Sequence, residues 1–225
     1  MDKTVYRHIE SYMKKCMKDS AHDKEHIYRV LYVALDIAGH EQNVDMDVLI
    51  AACLLHDIGR EAQRKDHTVC HAEAGSVMAY DFLLESGWPQ RKADHVCRCI
   101  LTHRFRNDRP PETLEARILF DADKIDATGA MGIARTLIYQ GQVSHPLYTV
   151  DDAGRVLDGS GREPASFFRE YKFKLEKLYG VFYTAHAQKI AEARRDAAAA
   201  FYRSLLKEAG ECHAEGEKRL EAVLR

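Results

Sequence analysis

The chain has 225 residues, 46% of them hydrophobic and 30% charged, with a formal net charge of -2. That length suffices to bury roughly 70 to 75% of the surface the unfolded chain exposes, so no disulfide or metal staple is required for a core. The near-neutral charge offers no polyanion-binding face, and the longest uncharged run, around Val48 to Leu55, is far short of the roughly 20 residues a membrane span needs. Neither a nucleic-acid polymer nor a membrane is therefore an expected partner.

In chain order, Val5, Ile9, Met13, Cys16 and Met17 follow the helical period and predict a first amphipathic helix over 4–18. Asp19 and Ser20 interrupt it. Asp23 is placed to cap a second helix, whose stripe of Ile27, Val30, Leu31, Ala34, Leu35 and Ala38 marks a buried face. His22 and His26 lie at its start. A break over 39–43 leads to a third helix, capped by Asp45 or Asp47, that contains the stretch LIAACLLHDIGRE, Leu49 to Glu61. It is apolar all round, which places it centrally, and its last turn carries His56 and Asp57 inward.

Residues 62–70 have no period and predict a loop before a helix over 71–85. Gly87, Trp88 and Pro89 punctuate, with Pro89 suited to the first turn of a helix running to about Arg104. The segment FRNDRPP, 105–111, predicts a loop because consecutive prolines cannot continue a helix. A helix over 113–127 is crossed by Asp121, Asp123 and Asp126, and a short helix is expected around Ile133 to Ile138. Residues 141–164 read as irregular. The tail over 167–209 reads as one long helix, or two with a break near Gly180 and Thr184 as the second cap. No stretch alternates long enough for a strand. The six cysteines form no pair of CxxC clusters and follow no secretory leader, as expected of reduced thiols in a cytoplasmic protein.

Four side chains stand out against this helical map: His26, His56, Asp57 and Asp123. A divalent cation needs neutral imidazoles and ionised carboxylates converging from rigid elements, which facing helices supply. Taken singly, each is more readily a hydrogen-bonded buried polar residue. Their combination with the adjacent His-Asp pair favours a metal.

The ordered set HIYRV, LLHDIGR, TLEARIL and DADKIDATGAMGIAR resembles the HD-domain superfamily of metal-dependent phosphohydrolases, in its small stand-alone bacterial form. The likeness spans about 20–146, and FYTAHAQKIAEARRD is similar to the C-terminal helix of such proteins, within helices expected over about 165–210. It implies an all-α, single-domain helical bundle of the HD-domain type over 1–225. It also implies His26, His56, Asp57 and Asp123 as metal ligands; Asp121 and Asp126 are near misses, and Asp126, three residues beyond Asp123 and on its face, is kept as a supporting candidate. The cofactor implied is a divalent ion, manganese, magnesium or another first-row metal. Some members hold two ions, and His71 and His103 stand where a second set would lie, although one ion is the expectation here.

The implied activity is hydrolysis of a small-molecule nucleotide, foremost nucleoside triphosphate pyrophosphohydrolysis. A 5'-nucleotidase or cyclic-nucleotide phosphodiesterase is the alternative, and a non-catalytic ligand sensor on the same scaffold is the rival from another class. An iron-dependent oxygenase on this fold is a further reading, and a homo-oligomer is compatible with all of them. For the chemistry around Asp57, Arg60 and Lys124 are the cations expected to act on a phosphoryl group, while Lys65, His103 and Arg104 are expected to bind substrate. Glu61 is the candidate general base. It lies one residue beyond the glutamate of some HD nucleotidases, whose place Arg60 takes here. No GYP follows His103, and the long partner domains of guanosine tetraphosphate hydrolases are absent.

Overall fold

Side-chain caps and apolar stripes set most of the helix boundaries in the computed structural model, which describes residues 1–17, 24–104 and 109–224. Asp2 opens α1 (Lys3–Cys16) by accepting from the amides of Thr4 and Val5. The stripe predicted from Ile27 to Ala38 lies on α2 (Lys24–Ala38), where Ile27, Val30, Leu31 and Ala34 are buried. Asp45, rather than Asp47, caps α3 (Met46–Leu55) through the amides of Asp47 and Val48. A short α4 (Arg60–Lys65) precedes α5 (His71–Glu85), and Pro89 leads into α6 (Gln90–Thr102). Thr113 caps α7 (Leu114–Ile125) by accepting from Ala116 N. Then come α8 (Gly129–Gln142), α9 (Phe167–Phe173), a 3-10 turn at Leu175–Gly180 and α10 (Ala185–Val223).

The fold is all-α. Among the described residues the sole β feature is an isolated bridge between Val150 and Val156, and no helix is long and apolar enough to cross a membrane. None of the six cysteines is in a disulfide. The expected cap at Asp23, the break at Asp19 and Ser20, His22 and residues 105–108 lie outside the described residues.

The chain divides into two compact units, Met1–Asp126 with Tyr183–Ala187, and Ala127–Phe182 with Gln188–Arg225. In the first, α3 packs against α1, α2, α6 and α7, and Val48, Leu49, Ala51, Ala52, Cys53, Leu54 and Leu55 are all fully buried. A helix apolar on every side is stable only when surrounded, which is the position it takes. The buried carboxylate of Asp121 is not turned toward His56 and Asp57. It accepts the amides of Tyr183 and Thr184 at 2.9 and 2.8 Å and the Thr184 hydroxyl at 2.7 Å, fastening residues 183–187 to α7. In the second unit Ile133, Phe167, Phe168, Tyr171, Leu175, Leu178, Ala198 and Tyr202 form the core.

Two expectations about element bounds need correction, and a third, left open between two arrangements, is resolved. Residues 62–65, read as loop, continue the six-residue α4, whose polar sequence REAQRK carries no apolar period to announce it. The tail takes the second of the two expected arrangements, two α-helices parted by the 3-10 turn that ends at Gly180, with the Thr184 hydroxyl accepting from Ala187 N at the start of α10. The second of them runs to Val223 rather than ending near Ala209, because a glycine such as Gly210 or Gly216 costs a helix only about 1 kcal/mol against alanine.

Candidate metal centre

The end of α3 delivers His56 and Asp57 into the interior, where they are 0% and 3% exposed. Gly59 follows because the first turn of α5 lies directly against it. A Cβ on Gly59 would fall 2.2 Å from the His71 carbonyl oxygen and 2.6 Å from the Gly75 amide nitrogen. That close approach brings His71 beside Asp57. The first turn of α2 supplies His26, the end of α6 supplies His103, and the last turn of α7 supplies Asp123, with Asp126 three residues on.

Asp57 stands between two groups. Its Oδ2 lies 3.6 Å from His26 Nε2 and 3.7 Å from His56 Nε2. Those two nitrogens are 3.3 Å apart, and His26 Nε2 is also 3.3 Å from Asp123 Oδ1. Its Oδ1 faces the other way, 3.6 Å from His71 Nε2 and 3.7 Å from His103 Nε2. Ligand atoms of His26, His56 and Asp123, and separately of Asp57, His71 and His103, lie within 4.8 Å of one another.

All four imidazoles are oriented in the same sense. Each Nδ1 meets an oxygen that only accepts: His26 the Asp126 carboxylate at 2.8 Å, His56 the Cys53 carbonyl at 2.8 Å, His71 the Gln63 amide oxygen at 2.8 Å and His103 the Ile100 carbonyl at 2.6 Å. The ring proton therefore sits on Nδ1, and every Nε2 lone pair points toward Asp57 and its neighbours. Asp126 is itself gripped by Arg29, Nε at 2.7 Å and a terminal nitrogen at 3.1 Å. Among the described residues the buried Nε2 atoms of His71 and His103 find no hydrogen-bond partner. Four ring nitrogens with lone pairs face two carboxylates that accept from Arg60 and Lys124, and this ligand set suits a divalent cation.

The electrostatics agree. Burial lowers the His56 imidazole to about 4, and burial with the nearby Arg60 charge lowers His71 to about 2, so both are neutral at pH 7. Burial alone would raise Asp57 and Asp123. The Arg60 guanidinium outweighs it at Asp57 and the Lys124 ammonium at Asp123, holding both carboxyls well below the usual range. Neutral imidazoles beside ionised carboxylates are the protonation states that metal ligands require.

The other sequence candidates are spread around this centre. Arg60 Nε bonds Asp57 Oδ1 at 2.9 Å. Lys124 Nζ bonds Asp123 at 2.6 Å and the His103 carbonyl at 3.1 Å. Arg104 donates to Cys70 Sγ at 3.3 Å. Lys65 is largely exposed and pairs with Glu61 at 3.4 Å. Glu61 is forked by Arg64, with both bonds at 2.8 Å, which pulls its carboxyl down to about 2. A carboxylate so held is a weak base at neutral pH. Arg29 and Gln63 were not anticipated. The sequence signal for Arg29 was its i+3 spacing from His26, while nothing marked Gln63.

Residues 24–128 match the HD-domain family model. The uncharacterized protein YpgQ of Bacillus subtilis is 28% identical over 206 residues, covering 89% of this chain and 91% of YpgQ. The crystal structure of YpgQ in complex with ADP superposes with a TM-score of 0.68 at 27% identity, covering 90% of this chain and 97% of that one. An HD-superfamily hydrolase of Bacillus thuringiensis gives 0.68 at 27% identity, over 92% and 97%. A predicted HD-superfamily hydrolase from an uncultured Thermotogales bacterium gives 0.61 at 29% identity, over 93% and 100%. With the His-Asp pair, the converging histidines and the helical frame in place, residues 24–128 are an HD domain, in a chain similar along most of its length to HD-superfamily hydrolases.

Proposed function

We propose that the chain is a metal-dependent phosphohydrolase of small-molecule nucleotides, foremost a nucleoside triphosphate pyrophosphohydrolase, working as one domain over 1–225. The observation that carries this reading is Asp57, with one carboxylate oxygen turned to each of two sets of lone pairs. His26, His56, Asp57 and Asp123 would hold one divalent ion, manganese or magnesium foremost. His71 and His103, sharing Asp57, would hold a second, which extends the one-ion expectation. Ions held there supply Lewis acidity at a phosphoryl oxygen and acidify water.

The chain's own groups do the rest. Asp126, fixed by Arg29, keeps the His26 proton on Nδ1, and Gln63 does the same for His71. Arg60 and Lys124, already paired with Asp57 and Asp123, offer positive charge to the oxygens of an incoming phosphate. Lys65 and Arg104 are substrate-binding candidates further out, and His103 takes a ligand role in place of direct substrate contact. The general base is not assigned to Glu61, whose carboxylate Arg64 neutralises. The ADP bound to YpgQ supports a nucleoside polyphosphate as substrate, since its phosphate chain is the anion such a centre attracts.

The test is a panel of nucleotides incubated anaerobically with metal-replete protein, with products identified by mass. A monophosphate plus pyrophosphate from a triphosphate is the expected result. Phosphate plus nucleoside, or a ring-opened monophosphate, would replace this reading with the nucleotidase or the phosphodiesterase. No product from any nucleotide would leave the ligand-sensing scaffold.

A further inference from the structure

A second group of metal-capable side chains lies apart from Asp57. Asp36 on the last turn of α2, His40 just beyond that helix and His186 in the first turn of α10 each offer one ligand atom, all within 4.8 Å of one another. Their backbone positions are fixed. The His40 amide bonds the Ile37 carbonyl at 2.9 Å, and Asp121 fastens Tyr183 and Thr184 just before α10.

The side chains are already in mutual contact. The rings of His40 and His186 stack with centroids 3.6 Å apart and planes 13° from parallel. His40 Nδ1 lies 3.0 Å from the Asp36 carbonyl oxygen, which only accepts, so Nδ1 carries the hydrogen and Nε2 keeps its lone pair. His186 Nε2 lies 2.9 Å from Asp36 Oδ2.

We propose that Asp36, His40 and His186 form a surface site for a borderline divalent cation, zinc above all, which ties the end of α2 to the first turn of α10. Two imidazoles and a carboxylate are a zinc ligand set with a fourth position for water, whereas calcium and magnesium prefer oxygen donors throughout. Asp36 and His40 stand four residues apart, the spacing that places side chains on one side of a helix end. The ion takes the place of the proton between His186 Nε2 and Asp36 Oδ2, and that imidazole keeps its hydrogen on Nδ1. The Asp36 side chain is 56% exposed and His40 is exposed, so both have room to turn toward an ion held at His186 Nε2.

The experiment counts zinc per chain, by equilibrium dialysis and elemental analysis, in the wild-type protein, Asp36→Asn and His40→Gln/His186→Gln, each checked for helix content by circular dichroism. Repeating the set on an Asp57→Ala background separates this site from the centre around Asp57. Both variants are expected to bind one zinc fewer per chain on either background, and the zinc-induced rise in Tm is expected to shrink with that loss. Equal zinc counts in the three proteins overturn the proposal. So does a difference that disappears on the Asp57→Ala background, because the lost ion would then have been held at Asp57.

Discussion

The two sides of Asp57 are built from different materials. On the Oδ2 side, His26, His56 and Asp123 come from three helices that pack in the core, and His26 is backed by the charged Asp126–Arg29 pair. On the Oδ1 side, His71 and His103 come from a helix start and a helix end, backed by the neutral Gln63 amide and the Ile100 carbonyl. One side adds a second carboxylate to the shared one, and the other adds none. An ion on the Oδ1 side therefore meets less negative charge and is expected to be the weaker and more exchangeable of the two.

The largest effect is expected where the two sides meet. Asp57→Ala removes the shared ligand, and turnover should fall by about a thousandfold or more, with both ions lost and helix content retained. Residual turnover within about tenfold of wild type would break the comparison at its centre. His103→Ala and His26→Ala come next. Each should cost roughly a hundredfold in turnover, but excess metal should rescue His103→Ala less than wild type and more than His26→Ala, since only the weaker ion is displaced. Equal rescue would remove the difference between the sides.

Gln63→Leu and Asp126→Asn refine the comparison further. Outer partners of ligand histidines typically contribute 10- to 100-fold in metal affinity, so Gln63→Leu should weaken one class of ion and Asp126→Asn the other. Titration of metal-stripped protein with manganese resolves the two classes.

Acid should act on both sides. The His56 and His71 imidazoles lie below their ordinary 6.5 in the fold, so as pH falls the unfolded chain takes up protons first. The contribution of both histidines to the stability of metal-free protein should be full above 6.5 and decline as pH falls, until the folded imidazoles themselves take up protons, near pH 4 for His56 and near pH 2 for His71. Asp57 and Asp123, held below their usual 3.8, add to the loss as pH falls under that value. Denaturant midpoints that stay flat between pH 6.5 and 4 would contradict the neutral-histidine assignment. The smallest effect is expected at Glu61→Gln, within about twofold in turnover, because its carboxylate is already neutralised by Arg64.

How much of this could be read in advance depended on burial pattern. The apolar run from Leu49 to Leu55 announced a surrounded helix, so the inward placement of His56 and Asp57 followed, and the all-α class rested on helical periodicity together with the family resemblance. All six ring and carboxylate groups of the centre were named from the sequence, His71 and His103 only through the family resemblance. What was not legible lay in contacts between distant segments. Gln63 sits on a six-residue helix with no apolar period, and its partner His71 is eight residues on. The need for glycine at position 59 appears only when the first turn of α5 is laid against it. Of the three aspartates in DADKIDA, Asp123 and Asp126 were marked in advance and face His26 Nε2 and Nδ1, while only packing tells that Asp121 holds Thr184.

Anomalous diffraction at the manganese edge from crystals of manganese-loaded protein tests the central claim most directly. The account predicts two peaks flanking the Asp57 carboxylate, one bounded by His26, His56 and Asp123 and the other, of lower occupancy, by His71 and His103. A single peak with the Nε2 atoms of His71 and His103 left bare, or peaks with no bond to Asp57, would contradict it.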